Sequence, residues 1–564
     1  MLYAEDPHSV QSLSESLQVS SLIASLLLSR KIRNITEAKT FFNPSLEQLH
    51  DPFLMKDMDK AVDRIYEAIA KNEKILVYGD YDVDGTTAVA SFYQFLIEIY
   101  HPEKVEFYIP NRYTEGYGVS KKGIDFAKEH DFTLVVCLDC GIKSVDLIDY
   151  ANSIGVNFII CDHHQPGPML PVADAILNPK QTDCDYPYKD LCGCGVGFKL
   201  MTALAVRHNL HSDVYLKYLD MVAIAIAADI VPITGENRIL AHFGLNKINN
   251  QPSLGISAIL KLTGATLPLT ITNVVFMIAP RINAAGRMDD ARKAVLLFVE
   301  QDLDTALRMA GELQQDNSER KEKDADITAE ALNIINNDAT FIDRKSCVLF
   351  APHWHKGVVG IVASRIIEHH YRPTIVLTQN DGIATGSARS IKGFNLYEAI
   401  YECRDLLTAF GGHFAAAGLS LLPENIAEFS KRFEKAVQSS VTDDMLVPTI
   451  EINAMIQFKQ INPSLYKTIS RMEPFGPENM KPVFWAKNVT NNGNSRILKD
   501  QHIKFELNQD GVYMTGIGFN MAEKFPLISS STPFDIAFTI DQNTFKGNTN
   551  LQLIIIDVQP TQTN

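Results

Sequence analysis

Short apolar runs recur along the first half of the chain, and most of them end in residues able to bind a metal or move a proton. Ile75-Leu-Val-Tyr78 leads into Gly79 and into aspartates at 80, 82 and 84. Val105–Ile109 runs into Pro110-Asn111-Arg112, Leu134–Leu138 into Asp139-Cys140-Gly141, and Asn157–Cys161 into Asp162-His163-His164. Helical patterns such as Lys60–Ala70 lie between them. Continuous apolar runs of four or five residues suit buried parallel strands, and their alternation with helices predicts a doubly wound parallel α/β sheet. A core strand needs no carboxylate at its end, whereas open α/β sheets bind ligands at the carboxyl ends of their strands. A further apolar segment, Met221–Ala228, ends in Asp229-Ile230-Val231-Pro232.

The pattern changes along the rest of the chain. Residues 1–50 read as a helical preface, with candidates at Ser21–Arg30 and Ile35–Phe42, and suggest no function beyond packing. The first α/β domain is placed at 51–280. From about Asp290 to Asn336 the chain is rich in Ala, Leu, Glu, Lys and Gln without proline, which reads as a solvated linker helix within 281–340. A smaller α/β domain follows at 341–446, with strands at Cys347–Phe350 and Thr374–Leu377 and a helix over Val358–Ile367. From 447 to 564, short strands (Val483–Trp485, Ile503–Leu507, Val512–Gly516, Phe534–Ile540, Leu551–Ile555) alternate with Asn, Gly and Asp turns and predict a small β-barrel.

Composition narrows the class. The 564 residues are 46% hydrophobic and 21% charged, which fits a globular protein of three to four domains. No signal peptide or membrane-length apolar run is apparent, so a cytoplasmic location without a membrane partner is expected. The eight cysteines are scattered. Cys137 and Cys140 form a C-x-x-C, and Cys184, Cys192 and Cys194 a loose cluster; with no second paired motif all are read as reduced thiols, with a structural zinc as the alternative. A net charge of −15 argues against wrapping duplex DNA but leaves room for a local basic groove.

Three aspartates within five residues repel one another unless a cation neutralises them; a solvated acidic turn is the plainer alternative. An EF-hand also begins D-x-D-x-D, but its twelfth position requires Glu, and Ser91 stands there. Asp80, Asp82, Asp84, Asp139 and Asp229 with His163 and His164 make an oxygen-rich set with imidazoles, which suits Mn²⁺, with Mg²⁺ as the nearest substitute. Two such ions about 3.5–4 Å apart hydrolyse phosphoesters, and Asp139 is the candidate bridge between them. In the smaller domain, Gly386-Ser387-Ala388-Arg389-Ser390 offers backbone N–H, hydroxyl and guanidinium to a phosphate. Gly411-Gly412-His413 permits close approach and supplies a donor.

Taken together, Gly79-Asp-Tyr-Asp-Val-Asp-Gly85, Leu138-Asp-Cys-Gly141, Asp162-His-His164 and Ala228-Asp-Ile-Val-Pro232 resemble the four motifs of the DHH phosphoesterase superfamily. Arg281-Ile-Asn-Ala-Ala-Gly-Arg-Met288 and Gly411-Gly-His-Phe-Ala-Ala-Ala-Gly418 follow, the latter resembling the signature of its second (DHHA1) domain. Their order, over roughly residues 50–560, is similar to the bacterial branch that degrades single-stranded DNA from 5′ to 3′. The resemblance implies a DHH domain, a linker helix with a groove beside it, a DHHA1 domain and a C-terminal OB-fold that binds single strands.

It further implies two Mn²⁺ or Mg²⁺ ions on Asp80, Asp82, Asp84, Asp139, His163 and Asp229, activating water. His164, with Asp162 in the same catalytic set, would contact the scissile phosphate, and Arg287 would stabilise charge on it. Arg112, Ser387 and Arg389 would hold a 5′-phosphate, while Arg281, Asn283, Ser364, Arg365, Gly411, Gly412 and His413 would contact the strand. The implied protein is a monomer acting in DNA recombination and repair, with a single-strand-binding protein and a helicase as partners. Two rivals stand beside it. One is a nanoRNA or cyclic-dinucleotide phosphodiesterase of the same superfamily, which generally lacks the barrel. The other is a non-catalytic scaffold, against which every ligand position here is filled.

Overall fold

The computed structural model describes residues 5–530 and 532–561. Its first sheet has five parallel strands, β1 (Lys74–Gly79), β2 (Val105–Tyr108), β3 (Phe132–Leu138), β4 (Asn157–Cys161) and β5 (Ala175–Leu177), in the order β2-β1-β3-β4-β5. Ile75 to Tyr78 are all buried, as a continuous apolar run requires: Ile75 and Val77 enter the core on one face, Leu76 and Tyr78 that on the other. The chain leaves β1 toward β2 and returns to the opposite side at β3. The crevice at that reversal, outside the carboxyl ends of β1 and β3, is where doubly wound sheets bind ligands. The apolar segment Met221–Ala228 belongs to a buried helix, Leu219–Ala228, capped by Asp229.

The second sheet contains β6 (Cys347–Phe350), β7 (Thr374–Asn380), β8 (Ile383–Arg389), β9 (Leu407–Gly412) and β10 (Ala416–Leu421), in the order β6-β7-β8-β10-β9. Only β6 and β7 are parallel. Ser387 and Arg389 lie on β8, between β7 and β10, so their backbone belongs to the sheet and their side chains alone are available to a ligand.

The linker departs from the sequence expectation. It is two helices, Arg292–Val299 and Leu303–Asn337, separated where Asp302 caps the second. The longer helix is not solvated: Ala306, Ala310 and Leu313 at helical spacing are buried, and so are Asn317, Arg320 and Asp324. The charged residues hid this face, because Asp324 is buried only by pairing with Arg320 and with Arg365 of the smaller domain.

The last sheet comprises β11 (Ala454–Met455), β12 (Phe484–Asn491), β13 (Arg496–Leu498), β14 (His502–Gln509), β15 (Val512–Gly518), β16 (Phe534–Phe545) and β17 (Asn548–Pro560). Pairing runs β12-β16-β17-β15-β14, and a β12–β14 contact at Thr490 and Asn508 closes the barrel. The N-terminal helices Pro7–Leu17, Ser21–Leu28 and Ile35–Phe42 pack on this barrel: Leu13, Ile23, Leu26 and Leu27 share one core with Phe484, Phe505 and Phe538. The segment read as a preface to the first domain thus completes the last one. Arg238 joins this body to the first domain, donating to the carbonyls of Met472, Glu473 and Phe41.

Candidate active site

The acidic residues converge at the sheet crevice. Asp82 caps the helix Val83–Ile99, accepting from the Gly85 amide at 3.0 Å. Asp84, in the first turn of that helix, is fully buried. Its two oxygens accept the amides of Gly193 and Cys194, at 2.6 and 2.7 Å, at the start of the helix Gly193–Arg207. Asp80 accepts from Gly118 N at 3.1 Å. His163 Nε2 lies 3.2 Å from Asp139 Oδ1, 3.6 Å from Asp229 Oδ2 and 3.8 Å from Asp84 Oδ2. None of the three is a formed hydrogen bond, and Asp139 Oδ1, Asp80 Oδ2 and His163 Nε2 are buried without a partner.

Electrostatics make the same point. Burial, then the charge of Asp82, pushes Asp84 up to about 7 and Asp80 up to about 8. Burial with Asp84 and Asp82 pushes Asp229 up to about 8, and Asp139 is raised well above the carboxylate range by burial and Asp84. Burial holds the His163 imidazole neutral, down at about 3. Four carboxyl groups strained against ionisation, around a neutral imidazole with a free nitrogen, fit divalent cations: the charge that costs most in the protein alone is the charge a metal takes up. Oxygen atoms with one imidazole suit Mn²⁺ or Mg²⁺. The ligand-bearing groups Asp84–His163–Asp229 and Asp139–His163–His164 each gather within 4.8 Å.

His164 stands at the edge of the centre, its side chain 38% exposed. Nδ1 lies 2.7 Å from Asp162 Oδ1 and Nε2 lies 3.0 Å from the Tyr117 hydroxyl. Burial opposes ionisation of Asp162, but the hydrogen bond and charge of His164 with the amides of His164 and Ile142 bring it to about 2. Burial likewise opposes the imidazolium, and Asp162 outweighs it, so the His164 pKa is raised. Both ring nitrogens of His164 are thus engaged, at the edge of the site.

A cavity of about 260 Å³ is lined by Asp80, Asp82, Asp84 and Asp229 together with Arg112, Asn283 and Arg287. The Arg112 guanidinium stacks 4.2 Å from the centre of the Tyr81 ring, and its Nε is buried without a partner. Arg287 donates to Gly357 O at 3.0 Å, and the Tyr113 hydroxyl donates to Arg287 O. Burial, with the charges of Arg112, Arg320 and Arg389, lowers the Arg287 guanidinium to about 10. Arg389 donates to Ser387 Oγ at 2.7 Å. The ideal Cβ position of Gly360 lies 3.1 Å from both Ser387 Oγ and Arg389 Nη2, so a side chain there would press on this pair. Arg112 and Arg287 line the cavity, and Arg389, with Ser387 beside it, lies near enough for its charge to act on Arg287.

The other expected residues do not line that cavity. Arg281 is spent on Met277 O and Gln314. Arg365 is ion-paired to Asp324, and the exposed Ser364 bonds its own helix at Gly360 O. Gly411, Gly412 and His413 are exposed at the β9–β10 turn, where Gly412 has φ 153 and packs on the Ala416–Ala417 backbone. Sequence reasoning passed over Tyr81, Tyr117 and Gly193. A Cβ on Gly193 would sit 2.4 Å from Asp139 Oδ1, so this glycine lets the helix approach the centre. The Gly116-Tyr-Gly118 and Gly193-Cys-Gly195-Val-Gly197 runs were the available signals.

Residues 74–226 match the DHH family, N-terminal domain, residues 343–439 the DHHA1 domain, and residues 452–557 the RecJ OB domain. The chain is 36% identical over 98% of its length to the single-stranded-DNA-specific exonuclease RecJ of Bacillus subtilis, covering 70% of that protein. It is 32% identical to that of Escherichia coli, with 90% of this chain and 91% of the relative aligned. Among solved structures, RecJ in complex with Mn²⁺ from Thermus thermophilus superposes with a TM-score of 0.86 at 26% identity, covering all of this chain and 79% of that one.

Proposed function

As the chain belongs to the RecJ family, we propose that it is a metal-dependent exonuclease that removes nucleotides from the 5′ end of single-stranded DNA. The observation that carries this reading is one cavity lined by the carboxylates Asp80, Asp82, Asp84 and Asp229 together with Arg112 and Arg287. Asp80, Asp82, Asp84, Asp139, His163 and Asp229 would hold two Mn²⁺ ions, or Mg²⁺ in their place. Bound there, the ions lower the pKa of water and offset charge on a scissile phosphate.

The chain's own groups do the rest. Asp84 is aimed by two backbone amides, so it cannot swing away from the centre. Asp162 and Tyr117 fix the His164 ring from both sides, and Nε2 would exchange the Tyr117 hydroxyl for a phosphate oxygen when a strand binds. Arg287 and Asn283 face the same cavity and would steady the developing charge. No serine, threonine or cysteine nucleophile is needed. Arg112, Ser387 and Arg389 would take the terminal 5′-phosphate, a guanidinium giving it a two-pronged fork. The barrel would hold the strand farther from its end.

An enzyme consuming single-stranded ends depends on activities that expose them, so a helicase and a single-strand-binding protein are the proposed partners. One chain supplies every group named, consistent with a monomer, and a cytoplasmic site of action is proposed. Among the described residues no helix is long and apolar enough to cross a membrane. The test is the rate on a 5′-phosphorylated strand against the same strand with a 5′-hydroxyl. Arg389→Ala should cut the first rate about tenfold or more and leave the second little changed. Equal losses on both would place end recognition elsewhere.

A further inference from the structure

Arg112 and Tyr117 sit on one loop, residues 109–119, between β2 and the helix Lys121–Glu129. This loop has no regular structure of its own, yet it supplies four contacts to the site. Arg112 stacks on Tyr81, the Tyr113 hydroxyl reaches Arg287 O, Tyr117 reaches His164, and Gly118 N reaches Asp80. A loop presenting this much chemistry needs something to hold its shape, since ordering each freely rotating residue costs conformational entropy.

Glu115 lies at its centre and points inward. Its side chain is 4% exposed, unlike the site residues it sits between. Oε2 accepts the Tyr108 hydroxyl at 2.9 Å and the Ser120 hydroxyl at 2.6 Å, and Oε1 accepts the Asn111 amide at 3.0 Å. Tyr108 is the last residue of β2, and Ser120 caps the following helix through Gly123 N. The carboxylate thus ties the strand end, the helix start and the base of the loop to one point. Asn111 Oδ1 in turn accepts the amides of Tyr113 and Thr114, folding the chain around Arg112. On the far side, the Tyr78 hydroxyl donates to Gly118 O at 3.0 Å and accepts from Ser120 N at 3.1 Å.

We infer that Glu115 is a positioning residue for the exonuclease: it touches no substrate, and it sets Arg112 against the terminal phosphate and Tyr117 against His164. The carboxylate is the right chemistry because three donors converge on it. An amide of the same size has one acceptor oxygen and would turn an NH₂ group toward at least one of those donors. A displacement of about 1 Å at such a loop is enough to cost a large factor in rate.

This inference rests on the reading of Arg112 as a 5′-phosphate ligand, and the experiment separates the two. Rates on 5′-phosphorylated and 5′-hydroxyl strands are measured for Arg112→Ala, Glu115→Gln, Tyr108→Phe and the double variant Arg112→Ala/Glu115→Gln, with melting temperature recorded for each. Glu115→Gln should shrink the preference for the phosphorylated end by about tenfold, and the double variant should shrink it no further than Arg112→Ala alone. Tyr108→Phe removes one of the three donors without opening a cavity, so it should give an intermediate loss even if Glu115→Gln folds poorly. If Arg112→Ala leaves the preference intact, the phosphate assignment itself fails. If Arg112→Ala abolishes the preference while both Glu115→Gln and Tyr108→Phe keep it, Glu115 is not a positioning residue.

Discussion

His163 Nε2 and Asp139 Oδ1 stand 3.2 Å apart, fully enclosed, without a hydrogen bond between them. Asp84 and Asp229 point into the same space, so ionised carboxylates here repel one another unless a cation comes between them. The centre is therefore costly in the protein alone and favourable with metal.

This gives a pH dependence. Asp80, Asp84 and Asp229 have native pKa values raised to about 8, 7 and 8, from an ordinary value near 3.8. A raised carboxyl favours the folded state below about pH 4, and that contribution is lost as pH climbs through 7–8, where the groups must ionise against one another. Cations reverse this by binding the ionised form. The rise in melting temperature on adding Mn²⁺ should be larger at pH 8 than at pH 6, as differential scanning fluorimetry would read. A shift independent of pH would mean that these carboxylates do not hold the ion.

Gly193 is the next test. Gly193→Ala puts a methyl group 2.4 Å from Oδ1 of Asp139, the proposed bridging ligand, which is buried and not a flexible chain end. Activity should fall at least tenfold while the far-ultraviolet spectrum stays unchanged, because the helix Gly193–Arg207 must back away from the centre. Normal activity in this variant would place Asp139 outside the chemistry.

Ile230, beside Asp229, adopts φ 58, a left-handed backbone that a β-branched residue reaches at a cost of about 1–2 kcal/mol. Its side chain is 66% exposed, so little packing is recovered. Ile230→Gly should not lower the melting temperature and should raise it if relief of strain exceeds the flexibility gained by the unfolded chain. A clear loss of stability would show that the side chain is held by contacts in solution.

The shared core of the N-terminal helices and the barrel makes a prediction about deletions. Ending the chain at residue 446 strips Leu13, Ile23, Leu26 and Leu27 of their barrel partners, exposing apolar side chains worth about 1.5–3 kcal/mol each. A 46–446 fragment, which loses both halves of that core, should be more soluble than 1–446 and bind less of a hydrophobic dye. It should also lose affinity for long strands more than it loses cleavage of short oligonucleotides. Equal solubility of the two fragments would contradict the shared core.

These elements show which parts of the molecule were legible in the sequence. The strands of the first sheet were plain because a strand buried on both faces is a continuous apolar run, and their terminal acids stood out against it. Asp84's partners were not, since the amides of Gly193 and Cys194 lie 109 and 110 residues away and donate as backbone whatever the side chain. The helix Leu303–Asn337 read as solvated because Asp324 and Arg320 look like surface charge until Arg365 of another domain is placed against them. The helices before residue 43 gave no hint of their core, which lies more than 400 residues farther on. Periodicity reports that a face is covered; it does not report by what.

The most direct measurement is digestion of one single-stranded oligonucleotide carrying its label at either the 5′ or the 3′ end, with Mn²⁺, by the full chain and by Asp139→Ala. The account predicts that the 5′ label appears at once as a mononucleotide, that the 3′ label appears in a descending ladder, and that Asp139→Ala releases neither. Early release of the 3′ label, or undiminished release by Asp139→Ala, would contradict it.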